Sequence, residues 1–421
     1  MTVKSLLLVG GTDRHLDRAK ELGARVVLFQ HPDKLTARQK ELADTLLVVD
    51  YTDWEAVRPL AVAAHRLHRF DAVVSLTEGG LAAAARLREQ LGFLGTPHRA
   101  TVRLRDKSRM RARLRDTGSR LTVETGRVTD RASLTAFGEL AGYPFIVKPT
   151  DTTAGFGLLR VADAADAERA WARIEALRGG RTDRGSTLFT VTAFLMEAYI
   201  DGPEFSVEAF SFAGSHIVVA VTEKLVDELH FAELGHALPA RLTEADRSAV
   251  TAAAVEFLTV MGVTDGPSHT EIRLSGRGPV VIEGHNRVGG GQIGELVRAA
   301  YGLDLTTYGI GWPLGLVPEL RDAPRASSAA CTRFLLRDPG RVVAVEGVPD
   351  VAAHPAVLSV EVSVRAGDTV RPVRDNWDRL GHVAVRAADT GSAVELCELL
   401  AGGRIRIEVA QEDRATAGLK A

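Results

Sequence analysis

The chain has 421 residues, enough for about two to four domains, and its 45% hydrophobic and 25% charged residues exclude disordered and fibrous architectures. Its 52 basic and 54 acidic residues give a formal charge of -2, without the basic excess that neutralises phosphates, so no nucleic-acid partner is expected. Cys331 and Cys397 are the sole cysteines, which argues against a disulfide scaffold or cysteine zinc site and fits a reducing cytoplasm.

The first apolar run, Leu6 to Val9, ends at Gly10-Gly11 and is too short for a signal-peptide core or a membrane span, so no membrane partner is expected. It reads as a buried strand, and the spacing G-x-G-x-x-G of a dinucleotide site is absent. Residues 5–9, 25–29 and 45–49 read as short parallel strands, with a charged helix at 16–22 between the first two. Residues 71–76 continue the series into Thr77-Glu78-Gly79-Gly80 and an alanine-rich helix at 81–91, completing an α/β unit over about the first hundred residues. Glu78 then stands at the carboxyl end of a strand, where it either orients a substrate amine or complements a helix dipole.

From Asp106 the pattern changes to α+β: a basic helix, a strand at 145–148, a helix at 164–177, and strands at 188–196 and 205–211. Residues 181–186 (RTDRGS) read as a polar connection and 323–330 as a linker to a carboxyl-terminal domain. These breaks divide the chain at 1–104, 105–325 and 326–421.

Lys148-Pro149 opens Thr150-Asp151-Thr152-Thr153-Ala154-Gly155-Phe156-Gly157, whose amides could close over phosphates beside a fixed cation; an ordinary glycine hairpin is the alternative. Lys107 begins a helix, where a charge is usually solvated. Glu271 and Glu283 lie on two strands, 269–274 and 279–284, joined by Ser275-Gly276-Arg277-Gly278. Antiparallel pairing sets Glu271 opposite either Ile282 or Glu283, and the second register gathers two carboxylates suited to Mg²⁺ or Mn²⁺. The hairpin runs into Gly284-His285-Asn286-Arg287-Val288-Gly289-Gly290-Gly291. There Arg287 could stabilise transition-state charge or form a structural salt bridge, and the amides of Gly289, Gly290 and Gly291 could bind a carboxylate or oxyanion.

In order and spacing, Lys107, Lys148 with its glycine loop, the segment from Glu197 to Glu204, the Glu271/Glu283 pair and Arg287 resemble the ATP-grasp superfamily over nearly the whole chain. EGHNRVGGGQI resembles the signature of the L-amino-acid ligase branch, and G-P-E-F-S-V-E matches the family pattern G-x-E-x-S-V-E. The resemblance implies an α/β and α+β ATP-grasp fold with an N-terminal Rossmann-like pre-ATP-grasp domain, nucleotide-binding lobes and a small β-rich C-terminal domain.

It further implies that Lys107 and Lys148 contact the phosphates of ATP under a lid carrying Thr153 and Gly155. The segment with Glu197, Ala198 and Ile200 would be the hinge that binds adenine, and Glu204 would hold the ribose. Glu271 and Glu283 take the places of the metal carboxylates, and His285, a third candidate metal ligand, stands where many relatives carry a metal-binding or phosphate-binding asparagine. Glu233 and His236 in FAELGHALP resemble a substrate-pocket segment, though a loop with a capping histidine is the alternative; Lys224 is a further candidate, and Gly291 replaces an aspartate of many relatives. The implied activity is ATP- and Mg²⁺-dependent ligation of a small-molecule carboxylate, activated as an acyl phosphate, to an amine, in a cytoplasmic protein for which a homodimer is compatible. Purine-biosynthetic or carboxyphosphate-forming relatives and a non-catalytic nucleotide-binding regulator are the rival readings.

Overall fold

Strands β1 (Ser5–Val9), β2 (Arg25–Gln30), β3 (Thr45–Val48) and β4 (Ala72–Val74) form a parallel sheet in the order β3-β2-β1-β4. Successive side chains of a strand point to opposite faces, so Leu7 and Val9 pack against helices Trp54–His68 and Glu78–Leu91. Leu6 and Leu8 pack on the other side against helix Asp13–Glu21 and against Ile310 and Leu314 from much later in the chain. A sheet buried on both faces accounts for the uninterrupted apolar run of β1. The structure, a computed structural model, describes residues 3–180, 188, 190–227 and 231–410; the connection at 181–186 lies outside them.

The next layer is an antiparallel sheet of β5 (Thr125–Arg127), β6 (Phe145–Pro149), β7 (Leu159–Val161) and β8 (Phe194–Ala198), ordered β5-β8-β6-β7 and backed by helices Arg131–Ala141 and Ala164–Leu177. The strand expected at 188–196 begins only at Phe194. Val191 exchanges backbone hydrogen bonds with Gly179 and Gly180 at the end of the preceding helix, so its groups are unavailable to the sheet. Two further helices join these regions: His98–Arg105, which has no counterpart among the expected elements, and Lys107–Asp116, capped by Asp106 accepting from the Ser108 and Arg109 amides.

The remaining strands are β9 (Glu204–Phe212), β10 (Ser215–Val226), β11 (Glu233–Leu238), β12 (Gly266–Ser275), β13 (Gly278–His285), β14 (Ala329–Phe334), β15 (Gly340–Glu346), β16 (Val357–Val362), β17 (Thr369–Val370), β18 (Gly381–Ala387) and β19 (Arg406–Ala410). Eight of them form one antiparallel sheet, β13-β12-β9-β10-β11-β14-β18-β16. The linker expected at 323–330 therefore stops at Ser328: Ala329 and Ala330 are buried and already paired with β18, and β14 joins the carboxyl-terminal region to the central sheet through β11. Phe205, Val207, Val221, Ile272 and Val281 on one face of this sheet pack against helix Glu244–Met261. The opposite face carries the polar residues of the site.

Candidate active site

Period-two alternation places Glu204, Ser206 and Glu208 of β9 on the face turned away from the apolar core, with His269, Glu271 and Arg273 of β12 beside them. The register pairs Glu204 with both Lys224 and Arg273, Glu208 with His269, His269 with His285, and Glu271 with Glu283. Leu274 faces Pro279, a register that would set Glu271 opposite Ile282 in a regular ladder. A β-bulge between Glu271 and Ile272 shifts the pairing by one residue and brings the two carboxylates together. The carbonyl of Ile282 at this bulge accepts from Arg111 at 3.3 Å and Lys148 at 3.5 Å.

This face and the β5–β8 sheet enclose a cavity of about 410 Å³. Across it, Lys107 Nζ lies 2.9 Å from Glu283 and donates to the Thr152 carbonyl at 2.6 Å. Lys148 Nζ lies 2.7 Å from Glu197, which Arg111 holds through two hydrogen bonds of 2.8 and 3.0 Å. Burial pushes the Glu197 carboxyl up, but Arg111 and Lys148 outweigh it and hold it at about 2. The Glu197 side chain is thus committed to internal cations, and Glu197, Ala198 and Ile200 all line the cavity.

Lys224 Nζ reaches three carboxylates, Glu204 and Glu233 at 2.9 Å and Glu271 at 2.5 Å. Burial alone would lower its pKa; the three carboxylates raise it well above the ordinary lysine value, so it is a permanent cation. Burial likewise opposes ionisation of Glu271, yet Lys224 and His269 bring it to about 2, and Lys107 with His285 holds Glu283 well below the usual range. Both carboxylates are therefore anionic and aligned, a hard oxygen donor pair that fits Mg²⁺, which takes one or two protein carboxylates and keeps its waters.

His285 stands between two carboxylates. Its Nδ1 lies 3.1 Å from Glu78 and its Nε2 is 3.1 Å from Glu283, and among the described residues no three His, Cys, Asp or Glu side chains form a metal-binding group. Glu78, the first residue of helix Glu78–Leu91, also accepts from Arg287 Nε at 2.7 Å, so it orients the histidine and arginine from behind the cavity wall.

Arg287, Gly290, Gly291, Thr153, Gly155 and Glu233 line the cavity, whereas Gly289 and His236 stand one step outside it. His236 Nδ1 meets the Gly291 carbonyl at 2.9 Å, and Gly291 has φ +57 with His236 2.7 Å from where a Cβ would stand. An aspartate side chain at this position would collide here. A Cβ on Gly289 would similarly lie 2.8 Å from His269 and 3.0 Å from Glu208, so close approach of the turn to the sheet requires glycine.

A family model of ATP-grasp domains matches residues 141–295; others, of an ATP-grasp N-terminal domain and an L-amino acid ligase C-terminal domain, match residues 16–95 and 333–410. The chain carries an ATP-grasp domain. This ATP-grasp protein is 26% identical to the alanine–anticapsin ligase of Bacillus subtilis (strain 168) over 289 residues, covering 66% of this chain and 59% of that one. It is 29% identical to an uncharacterized protein of Sinorhizobium fredii over 254 residues, covering 60% and 50%. The chain thus spans between half and three-fifths of the length of these curated relatives. The solved L-amino acid ligase of Bacillus licheniformis shares its fold, with a TM-score of 0.82 over 98% of this chain and all of that one at 22% identity.

Several residues that line or support the cavity are absent from the site expected on sequence. Arg111 was legible: Lys107, Met110, Arg111 and Leu114 follow the i, i+3, i+4, i+7 spacing of one buried helix face. His269 and Arg273 share the period-two face of Glu271. Asn376, Trp377 and Arg379 carry no local signal, since they lie in a turn some 140 residues beyond Glu233, whose backbone and carboxylate Asn376 and Arg379 hold.

Proposed function

We propose that this protein is an ATP- and Mg²⁺-dependent carboxylate–amine ligase that activates an amino acid or similar small acid as an acyl phosphate and condenses it with an amine, releasing ADP and phosphate. The observation that carries this reading is the bulge-set pairing of Glu271 with Glu283, facing Lys107 and Lys148 across one cavity that Arg287 and Glu233 also line.

In this reading Lys107 and Lys148 anchor the phosphates, the 150–157 loop covers them, and the backbone of Glu197, Ala198 and Ile200 receives the adenine while Glu204 receives the ribose. Glu271 and Glu283 would hold Mg²⁺, whose charge offsets that of the phosphates when bound. A substrate carboxylate oxygen attacks the terminal phosphorus as the bond to ADP breaks, giving the acyl phosphate. The amine nitrogen then attacks the acyl carbon, and the carbon–oxygen bond to phosphate breaks with loss of a proton from nitrogen. Arg287, oriented by Glu78, and the Gly290 and Gly291 amides are placed to stabilise the tetrahedral oxyanion. Glu233, held ionised by Lys224, His236 and Arg379 against its burial, is suited to a substrate ammonium. The metabolite made, the cytoplasmic setting and a homodimeric assembly belong to the same proposal, on the strength of the ligase relatives and their chemistry.

The test is phosphate release from ATP and Mg²⁺ across a matrix of amino acids and small acids, with mass spectrometry of every active pair. Release that needs one acid–amine pair and yields a product lighter by one water than their sum supports ligation. Release sustained by bicarbonate alone would instead favour carboxyphosphate chemistry, and no release with any pair would favour the regulator.

A further inference from the structure

We propose that residues 374–379, in the turn before β18, form a clasp joining the phosphate-loop lid to the substrate-facing strand β11, with Asn376, Trp377 and Arg379 as positioning residues. Two independent sets of contacts lead there. Toward the lid, the Asn376 amide donates to the Ala154 carbonyl at 3.1 Å, and the Trp377 ring packs 5.9 Å from that of Phe156. Toward β11, the Glu233 amide donates to Asn376 Oδ1 at 2.8 Å, while Arg379 donates to the Glu233 carbonyl at 3.1 Å and pairs with its carboxylate at 2.5 Å. A single short turn therefore grips both sides of the cavity.

The turn is built to be rigid. Asp375 accepts from the Trp377 amide at 2.9 Å, Asp378 accepts from the Arg374 amide at 2.8 Å, and both aspartates are buried. The Arg379 guanidinium lies 3.6 Å over the Phe334 ring, which fixes its direction toward Glu233.

The lid needs such a partner. Ala154 has φ 62 and is followed by Gly155 at φ 73, and a left-handed conformation is unfavourable for a residue bearing a Cβ. The Asn376 amide binds the carbonyl of that same residue, so the clasp stabilises the lid where its backbone is least favoured. Glu233 is the acid assigned to the substrate ammonium, and it shares Asn376 with the lid. Lid position and substrate-acid position are thereby mechanically joined, the link that keeps water from an acyl phosphate until the amine is in place; this last step rests on the ligase reading.

Hydrogen exchange of the full chain without ligands tests the clasp apart from any activity. Trp377→Ala is expected to speed exchange of the 152–157 amides roughly three- to tenfold, as for loss of one aromatic pair, and Trp377→Phe to restore it. Asn376→Ala, which removes only the side-chain acceptor, is expected to speed exchange at Glu233. Exchange within β1 reports global stability and should stay unchanged. Unaltered exchange at both places overturns the clasp, as does acceleration in β1 equal to that in the lid. With an active acid–amine pair, Trp377→Ala should raise the ADP formed per amide, and an unchanged ratio despite a loosened lid overturns the coupling. A loosened lid in a protein that ligates no pair leaves the clasp standing and sinks the ligase reading.

Discussion

Glu197 shows how one buried charge serves both fold and site. Its carboxylate is 2% exposed and satisfies Arg111 and Lys148 together, so its removal leaves a guanidinium that is 1% exposed without an anion. Glu197→Gln should lower the unfolding free energy by roughly 3–5 kcal/mol in urea titrations, the usual cost of stranding one partner of a buried pair. The acid limb follows the same residue. Its folded pKa of about 2 lies below the ordinary value of 4.5, so the stability it contributes is present above pH 4.5 and is lost as pH falls toward 2. The stability–pH curve of Glu197→Gln should be flatter across that interval than that of the natural chain. In the glycine turn behind the cavity wall, Gly289→Ala places a Cβ against His269 and Glu208, and we expect loss of ATP turnover with a lowered melting temperature.

At the scale of the element, the hairpin of β12 and β13 depends on its bulge. The turn Ser275-Gly276-Arg277-Gly278 was legible from its glycines, yet it left Glu271 facing either Ile282 or Glu283, because turn chemistry sets the register only as far as the first irregularity. The bulge is held by Arg111 and Lys148 contacting the Ile282 carbonyl, groups from a helix and a strand more than 130 residues away. Glu283→Gln tests the pair. It keeps the shape and removes one anion beside buried Lys107, so Mg²⁺-dependent ATP turnover should fall about 10- to 100-fold, and the stranded lysine should also lower the unfolding midpoint in urea titrations. The 150–157 loop belongs to this scale as well. Shortening it should raise ADP release relative to amide formed, measured by paired phosphate and product assays, since an acyl phosphate reached by water is hydrolysed.

Across the whole molecule, the central sheet does not end with the ATP-grasp lobe. β14 pairs with β11 from Gly235 to Leu238, and the core beneath it mixes Ala237 with Cys331, Val383 and Cys397. A chain truncated before β14 would expose β11 as an open apolar edge, and we expect it to aggregate on expression, read by size-exclusion chromatography against the full chain. Among the described residues no helix is long and apolar enough to cross a membrane.

The sequence by itself determined the elements whose signals are local. The parallel strands of the first domain follow from short apolar runs buried on both faces, and the ATP-grasp resemblance from lysines, glutamates and glycines at strand ends and turns. Only the tertiary structure decided which of these charges face one another. Lys224 became the hub of three carboxylates, Glu78 the support of His285 and Arg287, and the turn at 374–379 a wall of the cavity, all through contacts between residues distant in the chain. Period and propensity act over a few residues, whereas ionisation, register at a bulge and closure of a cavity depend on what the rest of the chain brings within about 4 Å.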